Sequence, residues 1–169
     1  MLIQSGQMNH VEIVNMRTGQ PEAVAERVII DPFRLHVCGF YTTHDPSILL
    51  AANIRELNAE QILIDDVDAF SAREELPRLE EVLSIDYQLS GKRVQTHSKE
   101  RLGSVEEYVF DSLDFKIQKI YVHQPLWRNL NGQTLIVDRK QILEVNDKHV
   151  IVSDGTIKAK QAFSPQHTA

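Results

Sequence analysis

The sequence predicts an all-β protein made of two small rolled antiparallel sheets in tandem. Three observations carry that prediction: the chain repeats itself, its apolar residues recur at a period near two, and turn-forming residues punctuate it at short intervals. The repeat is read first. EAVAERVIIDPFRLHVCGFY, from Glu22, aligns with GSVEEYVFDSLDFKIQKIY, from Gly103. Val24, Glu26 and Val28 face Val105, Glu107 and Val109 at a spacing of 81. Asp31, Leu35, Val37 and Tyr41 then face Asp111, Phe115, Ile117 and Tyr121 at a spacing of 80. Further on, IRELNAEQILIDD, from Ile54, lies over ILEVNDKHVIVSD, from Ile142, at a spacing of 88, so that Asn58 recurs as Asn146. The step from 80 to 88 places about eight extra residues in the second copy, around HQPLWRNLNG.

Within each copy the pattern is that of half-buried strands. Val11, Ile13 and Asn15 alternate with Glu12 and Val14, and Leu35 and Val37 alternate with Arg34 and His36. Thr18-Gly19-Gln20-Pro21, Asp31-Pro32, Asp45-Pro46, Asn131-Gly132 and Asp154-Gly155 separate the strands. Asn58 to Gln61 and Asn146 to His149 occupy the same tight hairpin. Five or six short strands per copy indicate a small barrel, whose closure removes exposed edges. One stretch reads as helix: SAREELPRLEEVL, from Ser71, interrupted by Pro77. The expected organisation is a first barrel over 1–72, a linker with a short helix over 73–86, a second barrel over 87–158 and a frayed tail over 159–169.

Several residues carry a resemblance. GKRVQTHSKERLGSVEEYVFDSLDFKIQKIYV, followed by DRKQILEVNDKHVIVSD, resembles the PRC-barrel family: Gly91 before a first strand, Gly103 in the turn before a second, Asp111 ending it, and a closing hairpin. The first copy is more diverged, with His10 and Glu22 in place of the two glycines. The family includes the cytoplasmic domain of the photosynthetic reaction centre H subunit and the C-terminal domain of the ribosome maturation factor. The resemblance implies a β-barrel adaptor that contacts another macromolecule, an implication by analogy of fold.

Composition bounds the function. Of 169 residues 42% are hydrophobic and 25% charged, as in globular proteins, and no apolar run is long enough to span a bilayer. No basic leader with an apolar block opens MLIQSGQMNHVEI, and the single Cys38 cannot form an internal disulfide; both suit a cytoplasmic location. The net charge of −6 argues against a nucleic-acid binder, and the basic run Lys92-Arg93 with Lys99 and Arg101 is offset by Glu100, Glu106 and Glu107.

No chemistry-bearing motif emerges. Cys38 lies among apolar residues and reads as a small buried hydrophobe, and the seven histidines show no metal-ligand spacing. Asp65, Asp66 and Asp68 lack the glycine and closing glutamate of a calcium loop. Asp31 and Asp111 read as paired structural turns that bond their own backbone. No catalytic residue, cofactor or metal is therefore expected.

The insertion Gln124 to Gly132 is the local oddity. Either Leu126, Trp127 and Leu130 fold back over a barrel end or the seam between copies, or, with Arg128, they form a surface for a partner or a second copy. The function expected is a non-enzymatic binding or scaffold protein contacting another protein or itself. Its rivals are a small-molecule or ion sensor with a pocket between the barrels, and an assembly factor for a ribosomal or photosynthetic complex.

Overall fold

The computed structural model describes residues 1–128 and 134–155. Leu130, the Asn131-Gly132 turn and the tail from 159 lie outside the described residues. The chain is mostly β, 48% strand and 17% helical, in two sheets, one of them a half-barrel.

The first sheet holds β2 (Val11–Asn15), β3 (Pro21–Asp31), β4 (His36–Thr42), β5 (Ile48–Leu50), β6 (Glu56–Leu57), β7 (Gln61–Ile64) and β8 (Phe70–Ser71), in the order β6-β7-β2-β3-β4-β5-β8. The second holds β9 (Arg93–Thr96), β10 (Arg101–Asp111), β11 (Ile117–His123), β12 (Leu135–Asp138), β13 (Ile142–Val145) and β14 (His149–Val152), in the order β12-β11-β10-β9-β14-β13. β1 (Leu2–Gln4) adds to it against the end of β10. One parallel pair occurs in each sheet, β2 with β7 and β9 with β14.

Two compact units emerge. Unit 1 comprises Met1–Leu89 with Glu107–Gln118, and unit 2 comprises Ser90–Glu106 with Lys119 onwards. The tip of the β10–β11 hairpin thus belongs to unit 1 and its base to unit 2. Alternation decides what each strand buries. In β2, Val11, Ile13 and Asn15 are buried while Glu12 is exposed, as the period of two predicts. The core of unit 1 includes Ile13, Phe40, Leu49, Ile62 and Ile64, with Phe110 and Ile117 from the hairpin tip. That of unit 2 is largely β-branched: Val94, Ile120, Val122, Val137, Val150 and Val152, with Leu102. Branched side chains suit this pleated surface because their χ1 is already restricted.

The Ser71 stretch resolves as 3-10 turns at Arg73–Glu75 and Pro77–Leu79, then α1 (Glu80–Ile85). Pro77 opens its turn at a position where the missing N–H costs nothing. Six residues are too few for a helix to stand alone in water. Packing supplies what propensity lacks: Val82 and Leu83 bury against Ile29 and Ile48, flanked by Leu76 and Leu79. Asp86 ends α1 in a left-handed conformation, φ 47°, and its carboxylate accepts from Arg27 at 2.7 Å.

Candidate functional site: a cation-lined groove in unit 2

The turns form by local hydrogen bonding. Asp31 Oδ1 accepts the N–H groups of Phe33 (2.9 Å) and Arg34 (3.2 Å), and Asp111 Oδ1 accepts that of Leu113 at 2.7 Å. Asn58 Oδ1 accepts from Glu60 and Gln61, both at 2.9 Å, and Asn146 Oδ1 from Lys148 (3.1 Å) and His149 (2.9 Å). In all four the side-chain oxygen replaces a backbone acceptor two or three residues back, which lets the chain reverse without orphaned amides.

Gly103 has a different task. Its φ is 142°, and a Cβ there would lie 1.9 Å from the carbonyl oxygen of His123. Only a residue without a side chain lets β10 pass so close to the end of β11. That close approach fixes where the chain leaves β11, and so where Pro125 and Trp127 stand.

Beside them lies a groove of about 770 Å³. Its floor is the outer face of β14, β9 and β10. On β9, Val94 and Thr96 point into the core, so Arg93 and Gln95 point outward. In register with Arg93 are His149 on β14 and Ser104 on β10, and in register with Gln95 is Arg101. Lys99 enters from the β9–β10 turn, and His123, Pro125 and Trp127 form one wall. Arg93, Lys99 and Arg101 are exposed and form no ion pair among the described residues. Among the described residues no carboxylate lines the groove.

Two of the three acidic neighbours that offset this run in the sequence are engaged: the Glu107 carboxylate accepts the N–H of Gly6 at 2.9 Å, and Glu100 is ion-paired with Arg128. Glu106 is exposed. The signal that could have found the groove was spacing: Arg93 and Gln95, and Lys99 and Arg101, each two apart.

The loop residues divide. Leu126 is 79% and Trp127 72% exposed, so neither folds back as a cover. Arg128 is turned inward to Glu100, with its guanidinium 5.3 Å from the Trp127 ring centroid, and so braces the indole.

Unit 1 has a second depression, of about 900 Å³, containing the Asp65, Asp66 and Asp68 run. Two of its three carboxylates are already paired. Arg55 Nε bonds both oxygens of Asp65 at 2.8 and 2.9 Å, and Arg17 pairs with Asp66 at 2.8 Å. Asp66 also accepts the N–H of Asp68 at 3.0 Å and so starts a 3-10 turn. Among the described residues no group of three or more His, Cys, Asp or Glu could hold a metal ion. Cys38 is half-buried, and burial followed by the nearby Asp31 charge pushes its thiol above its ordinary pKa. That is the reverse of what a nucleophile needs.

Fold and groove together define a class: a mostly β protein with a cationic, indole-walled depression on one sheet face. The chain matches no protein-family model, and no curated protein matches it. Among the described residues no helix is long and apolar enough to cross a membrane.

Proposed function

We propose that the chain is a non-enzymatic adaptor of the cytoplasm, built from two PRC-barrel-like repeats, that docks another protein or a second copy of itself through the Trp127 face of unit 2. One observation carries this reading: an indole 72% exposed, braced by Arg128, beside three cations that form no ion pair among the described residues. Trp and Arg concentrate binding energy when a partner desolvates them, whereas an exposed indole contributes nothing to folding. The matching turns at Asp31 and Asp111, and at Asn58 and Asn146, support descent of both halves from one ancestral barrel. A role in assembling a ribosomal or photosynthetic complex is a special case of the same reading.

The test is a photo-crosslinking residue placed at Trp127 and, as control, at the exposed Glu12 on unit 1. The adaptor reading requires a discrete cross-linked protein, or a cross-linked dimer, from position 127 and not from 12. Equal or absent cross-linking at both would overturn it. The groove's volume also falls in the range of small-molecule sites. A sensor would show itself by a melting temperature raised by a metabolite without any cross-linked protein.

A further inference from the structure

We infer that the occupant of the groove is an acidic, extended segment of a partner protein, laid along the outer face of β14, β9 and β10 with an apolar side chain against Trp127. This rests on the adaptor reading above and names the chemistry of its partner.

The argument begins with spacing. Side chains two apart on a strand stand about 7 Å apart on one face. Arg93 and Gln95 are such a pair, and Arg101 lies across from Gln95 on β10. The cationic residues therefore come from three places on one face: Arg93 on β9, Lys99 in the β9–β10 turn and Arg101 on β10. An extended peptide projects alternate side chains to one face, so several carboxylates of one segment can reach cations that come from different elements.

Charge then selects the sign. The chain carries a net −6, yet this groove is lined by Arg93, Lys99 and Arg101 and, among the described residues, by no carboxylate. Such a field attracts acidic segments, whereas two whole copies of this chain, each with a net charge of −6, repel one another at long range. Exposed ion pairs are individually weak, so a specific complex needs an apolar anchor as well. The Trp127 wall supplies one, and Gln95, Ser104 and His149 supply hydrogen-bonding groups between the charges.

Trp127 is the single tryptophan, so intrinsic fluorescence reports on this groove alone. The probe is a short peptide alternating Glu and Val around a central Phe, titrated at low salt into the full chain. Controls are the same peptide with Lys for Glu, ATP, and a single-stranded oligonucleotide. The inference expects a saturable shift with the acidic peptide that fades with added salt, and none with the Lys peptide. In the double variant Arg93→Glu, Arg101→Glu, acidic-peptide affinity should fall on the order of tenfold and the Lys peptide should now bind. Both arginines are exposed, so the variant keeps its core, and circular dichroism checks that it folds. No saturable shift, equal response to both peptides, or tighter binding of ATP or oligonucleotide would overturn the inference. Failure here with successful cross-linking at position 127 removes the acidic-segment chemistry and leaves the adaptor reading standing. Failure of both removes both.

Discussion

Leu35 and Phe115 occupy equivalent places in two turns and share one left-handed backbone, φ 48° and 56°, while their neighbours hydrogen-bond across. Ile117 donates its N–H to the Leu35 carbonyl at 3.0 Å, and Val37 donates its N–H to the Phe115 carbonyl at 2.9 Å. Because Val37 aligns with Ile117, the exchange is reciprocal. A bulky residue at positive φ costs about 1–2 kcal/mol, and both turns hold theirs with an aspartate four residues earlier.

The two aspartates should therefore matter equally and jointly. Asp31→Ala and Asp111→Ala are each expected to cost about 1 kcal/mol, and the Asn replacements much less, since Asn forms the same turn. The double Ala variant should depart from additivity by about 0.5 kcal/mol or more, because the turns support each other through shared hydrogen bonds. Urea midpoints decide it; strict additivity would mean that the turns are independent.

Two glycines with positive φ should separate cleanly. Gly91, φ 87°, has open space around it, and Gly91→Ala should cost only the backbone term of about 1 kcal/mol. Gly103→Ala adds a clash with the His123 carbonyl and should cost at least about 2 kcal/mol, with altered Trp127 fluorescence. Similar losses for the two would show that the close approach of β10 to the end of β11 is not needed.

The Glu100–Arg128 pair should order the loop without stabilising the fold. Glu100→Ala is expected to change unfolding free energy by under about 1 kcal/mol, as for other surface pairs, while the anisotropy of Trp127 falls. In the unmodified chain acrylamide should quench Trp127 nearly as efficiently as a free indole. A shielded indole would place the side chain elsewhere.

Asp65 gives a pH prediction with a definite sign. The Arg55 guanidinium bonded to it holds its carboxyl below the ordinary value. A carboxyl lowered by folding contributes stability above its unfolded pKa and loses it as pH falls through the folded one. Arg55→Ala should raise the Asp65 midpoint toward that of an ordinary aspartate, read by NMR titration. The stability difference between variant and parent should disappear in acid. An unmoved midpoint would rule out the pair.

Cys38 should behave as packing and not as chemistry. Its thiol is expected to react slowly with a disulfide reagent at neutral pH, and to accelerate sharply on unfolding. Rapid reaction of the folded protein would contradict its half-buried, desolvated setting.

What the sequence determined alone is local: mostly β structure, the buried face of β2, the side-chain-bonded turns at Asp31 and Asp111, and the tight hairpins at Asn58 and Asn146. Period-two alternation and side-chain-to-backbone bonds act within a few residues, so they can be read along the chain. The Ser71 stretch was legible as helix, but its burial against Ile29 and Ile48 was not, because those contacts join residues 34 to 54 positions apart. The groove lay further out of reach. Arg93, Arg101, Trp127 and His149 become neighbours only through strand register and through the missing Cβ of Gly103. Only tertiary structure brings Arg93, Lys99 and Arg101 to the lining of one groove, which a charge sum along the chain does not register.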